Sequence, residues 1–339
     1  MRIFALCILT ALAGVSAGTS TPDPADASAS PLPGQGTSRD GKQAGDSGTW
    51  SEGARLGDQR TEAAVVAVNG KIYMLGGMAR GQDAHALNQE YDPATDRWSE
   101  RAPMPHALSH AGAAALNGKI YVVGGFLRNV HLDAQNLAFE YDPAADTWRT
   151  LAPMKSPRGA VGVVALNGRI HAIGGRDVNR VTVATHEVYD PATGRWGELG
   201  PLPKARDHLA AIAVDGKIHV IGGRFDASTD NTGLHDVYDP AGAGSPWTSA
   251  APLPTPRSGI SAVLYRGVIL IAGGECNSGK LFAEHEGFNV KTGRWSRFAA
   301  MSSPRHGIQA ATDGRTVFVP GGAPACGTGA SETMQMFRF

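Results

Sequence analysis

The chain has 339 residues, with 31 basic and 31 acidic side chains. That neutrality removes the electrostatic reason to expect non-specific binding to nucleic acid or to an anionic membrane. Its 44 glycines and 21 prolines, without a collagen period, call for many tight turns or for disorder, and the length allows one large domain or two ordinary ones.

Met1 and Arg2 precede a mostly apolar run, Ile3 to Val15, and Val15-Ser16-Ala17 offers small residues for cleavage. The pattern is that of a secretory signal peptide over 1–17, with a buried first strand or helix as the competing reading. Residues 18–48 are rich in Ser, Ala, Pro, Gly, Asp and Thr, with Leu32 almost alone as an aliphatic side chain. Such a segment buries too little apolar area to offset chain entropy, so a flexible linker is expected, while the signal peptide implies a secreted or periplasmic protein. Cys7 falls within the peptide to be removed. No later run approaches the roughly 20 apolar residues of a membrane-spanning helix, so no membrane insertion is expected.

From Trp50 onward the chain repeats. Double glycines stand at Gly76-Gly77, Gly124-Gly125, Gly174-Gly175, Gly222-Gly223, Gly273-Gly274 and Gly321-Gly322, spaced 48, 50, 48, 51 and 48 residues apart. The six tryptophans, Trp50, Trp98, Trp148, Trp196, Trp247 and Trp295, follow the same irregular ruler. Each unit opens with a small apolar strand, as in Ala63 to Val68, and Asn69-Gly70 then supplies the pair favoured in a type I′ hairpin. Equivalent turns are Asn117-Gly118, Asn167-Gly168, Asp215-Gly216, Arg266-Gly267 and Asp313-Gly314. The second strand, Lys71 to Leu75 in the first unit, ends at the double glycine, and a long polar loop follows. The third strand ends in Tyr91-Asp92-Pro93, with counterparts at Tyr141, Tyr189, Tyr238 and Phe288, and the fourth begins at the tryptophan. Short strands with regular turn signals and no helical period predict an all-β array of four-stranded units.

These residues resemble the kelch motif over residues 49–339, with His171 and His219 in the place of Tyr73 and Tyr121 as local departures. The resemblance implies a six-bladed β-propeller of four-stranded blades. Counting along the ruler, the sixth unit runs out of chain before its own tryptophan, while Trp50 precedes the first unit without a blade. The strand around Trp50 is therefore expected to complete the sixth blade, pairing near Met334 to Phe337 and leaving no open edge.

Antiparallel strands put the short turns on one face and the long loops on the other, where binding is expected. Sixteen residues before five of the double glycines stand Arg60, Arg158, Arg206, Arg257 and Arg305, with Leu108 in the second unit. Arg80, Arg128, Arg176 and Arg224 follow their double glycines. A ring of guanidiniums at the channel mouth would suit an anion; the alternative is pairing with loop acids such as Asp133, Asp177, Asp226 or Glu275. In one kelch family, the sensor propellers that bind acidic peptides, arginines near this position contact the ligand. His208 and His306 lie beside the arginines and join them as candidate ligand-binding residues, with His110 nearby in the second blade. His186, His235 and His285 share one repeat position, but each sits on the third strand of its blade, too far from its equivalents to share a metal, so no metal site and no cofactor are expected. Cys276 and Cys326 both follow double glycines in adjacent units; a disulfide is expected, with two free thiols as the alternative.

The expected function is a monomeric extracytoplasmic binding module for a protein, peptide or glycan, an acidic one in particular. The alternative is a carbohydrate-active enzyme. Sialic-acid mutarotases or epimerases are six-bladed kelch proteins whose substrate carboxylate would suit an arginine-lined mouth. The galactose-oxidase-like proteins have seven repeats and a copper site whose ligands find no counterpart here.

Overall fold

A computed structural model describes residues 47–339 apart from residues 80–82, 129, 130, 228, 243, 244, 277, 278 and 328. The expected signal peptide, nearly all of the expected linker, and Arg80 lie outside the described residues. Among the described residues there is no helix.

Six four-stranded antiparallel sheets make up the domain. The first blade runs Ala64–Val68, Lys71–Leu75, Asn88–Asp92 and Arg97–Glu100, in that spatial order. Asn69 and Gly70 both take positive φ, 51° and 76°, as a type I′ turn demands. The innermost strands of the next five blades are Gly112–Leu116, Gly162–Leu166, Ala210–Val214, Ser261–Tyr265 and Ala311–Thr312. Small side chains dominate these strands, and they let the inner strands crowd the axis around an alanine-rich channel of about 380 Å³. The strand Thr49–Gly53 pairs with Met334–Arg338, Trp50 facing Phe337, and so completes the sixth blade as the counting required.

The residues that recur in the sequence turn out to be the ones that bind each blade to the next. Each tryptophan indole donates to a backbone carbonyl that follows the outer strand of the preceding blade: Trp98 to Ala54 (3.0 Å), Trp148 to Ala102 (2.8 Å), Trp196 to Ala152 (2.7 Å), and, across the closure, Trp50 to Ala299 (2.8 Å). The second glycine of each pair donates its N–H to the carbonyl of the next blade's arginine position, as Gly125 does to Arg158 (3.1 Å) and Gly322 to Arg60 (2.8 Å). The first glycine abuts the same carbonyl. A Cβ on Gly124, at φ +69°, would lie 2.4 Å from Arg158 O, so both conformation and space demand glycine there. Between blades, apolar side chains interleave: Ile72, Met74 and Tyr91 of the first pack with Ala311, Phe318 and Met334 of the sixth.

The histidines at the shared third-strand position are buried inside their own blades. His186 pairs with His171 (2.9 Å) and His235 with His219 (2.8 Å), while His235 and His285 donate Nδ1–H to the carbonyls of Ala251 and Ala299. Burial lowers all five imidazoles, His186 to about 3 and His171, His219, His235 and His285 to about 4. In the unfolded chain they titrate near 6.5, so below that pH the unfolded state takes up protons that the folded state refuses.

Two outcomes follow for stability. Deleting residues 49–53 exposes the edge of Met334–Arg338 and lowers the melting temperature by about 10 °C, measured by circular dichroism, given the few °C per kcal/mol of a domain this size. The urea midpoint is constant above pH 7 and falls between pH 6.5 and 5, each buried imidazole removing up to about 1.4 kcal/mol per pH unit. A midpoint unchanged between pH 7.5 and 5 would refute the second expectation.

Candidate functional site

The five arginines do not reach the channel mouth. Arg60, Arg158, Arg206, Arg257 and Arg305 are at most 1% exposed, and their guanidiniums fold back between the strands of their own blades. Arg206 donates to Gly222 O (2.9 Å) and Val220 O (3.1 Å) and pairs with Asp236 (2.8 Å). Arg158 pairs with Glu187 (2.7 Å), and Arg257 pairs with Glu286 (2.5 Å). Arg60 meets Gln89, and Arg305 donates to Gly321 O (2.8 Å). The expected anion ring is thus corrected: these groups satisfy strand carbonyls and carboxylates, and none is available to a ligand. The second blade shows why the arginine is there. Where it has Leu108, the third-strand position that is Glu187, Asp236 or Glu286 in three blades and Gln89 or Gln335 in two is Phe139, and both are buried. The loop acids proposed as partners serve the other arginines: Arg128 meets Asp133 (3.0 Å), Arg176 meets Asp226, and Arg224 meets Glu275.

The mouth is built by the residue two places after each of those positions. Glu62, His110, Ala160, His208, Gly259 and Gly307 all take φ between 51° and 61°. Each accepts a hydrogen bond from the next around the axis: His110 N–H to Glu62 O (2.9 Å), Ala160 to His110 (2.9 Å), His208 to Ala160 (3.2 Å), Gly259 to His208 (3.1 Å), Gly307 to Gly259 (3.1 Å), and Glu62 to Gly307 (2.8 Å), which closes the circuit. Left-handed φ costs a non-glycine residue roughly 1–2 kcal/mol, and it persists where the surroundings over-determine it. Here the ring does so, and it holds one carboxylate and two imidazoles at the mouth. Gly307 is needed beside them, because a Cβ there would come within 2.3 Å of Glu62 Oε1.

Glu62, His110 and His208 line both the channel and a second cavity of about 480 Å³ on the long-loop side. His131, His306 and Glu275 complete its polar wall, and Met78, Ala79, Ala323, Pro324 and Ala325 its apolar one. His131 comes from the loop after the second double glycine, and its Nε2 lies 3.3 Å from His208 Nε2. The three rings of His110, His131 and His208 stand 5.0–5.3 Å apart, centre to centre. Asp207, fully buried, accepts from His208 Nδ1 (2.7 Å) and from Arg224 Nε (2.9 Å), and also faces Arg176 Nε (3.2 Å). Arg224 Nη2 lies 3.3 Å from the Nε2 atoms of both His131 and His208.

The charges of this cluster are mutually arranged. Burial opposes ionisation of Glu62, but His110, His306 and His208 outweigh it and hold the carboxyl well below its usual range. Burial likewise works against charge on His306, and the hydrogen bond and charge of Glu62, with the charge of Glu275, raise it above its ordinary value. Burial pushes His110 down to about 4 and His131 further still, reinforced by His208 and Arg224. His306 is thus held toward its charged form, and His110 and His131 toward the neutral one.

Of the residues singled out from sequence, His208, His306 and His110 meet at this mouth, while the five arginines do not. Glu62 and His131 were missed. Glu62 shares the repeat register of His110 and His208, so comparing that position across units would have exposed it. His131 lies in a loop outside any register, and no repeat signal reaches it. Cys276 and Cys326 are joined, with Cα atoms 5.5 Å apart, and tie together the loops of the fifth and sixth blades. Glu275 and Ala325 of those loops line the cavity. Closing a loop of this length, 50 residues of separation, constrains the unfolded chain by about 4 kcal/mol in the chain-entropy model.

Fold and repeat chemistry together define a β-propeller with a polar site at one end of its axis. The family model of the KLHDC2/KLHL20/DRC7 kelch-repeats domain matches residues 46–223, more than half of the chain, and the chain belongs to that family. A solved structure titled "Structure of YjhT" superposes with a TM-score of 0.72 at 17% identity, covering 84% of this chain and 96% of that one, a likeness of fold. No curated protein matches.

The structural role of the arginines yields a direct test. Arg158→Leu leaves the buried Glu187 without its cationic partner, held only by the N–H groups of Lys155 and Ser156, and costs about 3–5 kcal/mol by urea denaturation. Adding Glu187→Phe, which reproduces the Leu108–Phe139 pairing of the second blade, recovers most of that loss. A single substitution without cost would overturn the assignment.

Proposed function

We propose that the protein is an extracytoplasmic binding module whose cavity at the long-loop end of the axis holds a polyhydroxylated ligand, a glycan or one of its end sugars. The observation that supports this is the convergence of Glu62, Glu275, His110, His131, His208 and His306 on one cavity of about 480 Å³ with small apolar walls. Carboxylate oxygens accept from sugar hydroxyls, imidazoles can donate or accept, and apolar walls receive the C–H faces of the ring. The acidic ligand expected from the arginine ring loses its main support. The ring guanidiniums are buried, and the charge of Arg224 is met by Asp207 and Glu275. The joined cysteines fit an oxidising compartment.

A second reading is favoured by one observation. Asp207 accepts Nδ1–H of His208 at 2.7 Å, which leaves the lone pair on Nε2, beside Arg224 Nη2 at 3.3 Å, and His306, held toward its charged form by Glu62 and Glu275, lies on the same cavity wall. Such a pair suits proton-transfer chemistry on a sugar, anomer exchange or epimerisation, without a cofactor.

The test is calorimetry against neutral and acidic sugars and short glycans, with anomer exchange followed by NMR. A neutral glycan binds, and Glu62→Gln weakens it about tenfold, the loss of one charge-assisted hydrogen bond. Turnover abolished by His208→Ala favours the enzyme. Ligands that bind Glu62→Gln and His208→Ala as well as the parent protein would place the site elsewhere.

A further inference from the structure

We propose that His110, His131 and His208 form a three-histidine site for a divalent first-row transition metal, zinc foremost, at the end of the propeller axis. The inference stands on geometry and uses three of the imidazoles that the glycan reading also uses.

Zinc bonds imidazole nitrogen at about 2.0–2.1 Å, and in a tetrahedron that places neighbouring ligand atoms about 3.3 Å apart. Nε2 of His131 and Nε2 of His208 are 3.3 Å apart. If each ring points at one metal, its centre lies about 1.1 Å beyond the nitrogen, so ring centres in the same tetrahedron are about 5.2 Å apart. The three observed separations are 5.0, 5.1 and 5.3 Å. Side-chain nitrogens of all three lie within 4.8 Å of one another, so closing the triangle to about 3.3 Å asks the His110 ring to turn toward the other two.

The surroundings have the features that hold a metal site. The bond from His208 Nδ1 to Asp207 Oδ1 fixes the tautomer and turns the Nε2 lone pair inward, the carboxylate–histidine relation common behind metal ligands. Ser109 Oγ stands 3.1 Å from His110 Nδ1 and orients that ring in the same way. All three imidazoles are buried, Phe126 packs edge-on against two of them, and all three border the cavity. Glu62 Oε2 stands 3.4 Å from His110 Nε2 on the cavity wall. Arg224 is the group that opposes a cation here. Its Nη2 stands 3.3 Å from both Nε2 atoms, on the lone pairs a metal would take, so loading must displace this contact, while Asp207 and Glu275 neutralise its charge. Three imidazoles suit zinc, cobalt, nickel or copper and disfavour magnesium or calcium. A metal at this place would occupy Nε2 of His208, so metal binding and the general-base reading exclude each other at that atom.

The experiment uses the untagged chain, stripped with a chelator and titrated with Co²⁺ and Zn²⁺. Expected are one metal per chain, the visible absorption of four-coordinate Co²⁺, its displacement by Zn²⁺, and a rise in melting temperature on loading. His131→Ala, a loop residue whose removal leaves the strands intact, abolishes the cobalt spectrum while the metal-free melting temperature stays near that of the parent. Asp207→Asn weakens binding about 10- to 100-fold. No stoichiometric binding by the folded parent chain, or an unchanged spectrum in His131→Ala, overturns the site.

Discussion

Six peptide groups, one per blade, pass a hydrogen bond around the axis, and the last returns it to the first. That circuit requires six consecutive left-handed residues in space although they lie some 50 positions apart in sequence. It fixes the angle between neighbouring blades at the narrowest part of the molecule, and the double-glycine and tryptophan contacts repeat the constraint at larger radius. Three of the polar groups at the mouth inherit their positions from this ring. Glu62, His110 and His208 do not project from flexible loops; they are ring members, and their Cβ directions are set by backbone geometry. A site of this kind can be specific with few contacts, because its groups are in place before any ligand arrives.

The blade cores show how a buried charge can be kept when it is not the cheapest filling. A guanidinium in five blades replaces what could be apolar packing, as Leu108 and Phe139 demonstrate in the remaining one. A buried ion pair contributes little net stability over such a hydrophobic pair. What it supplies is direction. The planar fork of Arg206 or Arg257 reaches two carbonyls of the adjoining strand and a carboxylate of the next strand, so it locks three strands in register at the point where the inner strand meets the double glycine.

This explains what was legible in the sequence. Blade number, strand order, hairpin turns and the closing role of Trp50 could be read, because each rests on backbone geometry or an inter-blade bond that recurs six times and leaves one residue type at one spacing. The same logic misled the assignment of Arg60, Arg158, Arg206, Arg257 and Arg305. A repeated residue in a propeller belongs to the architecture, and a ligand site belongs where repetition fails. Glu62, His110 and His208 occupy a register whose other members are Ala160, Gly259 and Gly307, and that break in the pattern is what sets the proposed site apart. His131 was beyond reach, since a loop's path into a cavity depends on packing that no period encodes. Phe126, His110 and His208 receive it, and only their assembly in space shows that it belongs with them.

The pairing of Thr49–Gly53 with Met334–Arg338 sets an order of events for the nascent chain. The strand made first must wait, unpartnered, until almost the whole domain has been synthesised. Five sheets can be complete before then, yet neither the circuit at the axis nor the loops bridged by Cys276 and Cys326 can settle without the sixth. A chain that crosses a membrane as it is made would therefore cross with its circle open, and acquire its ligand cavity in one late step on the far side.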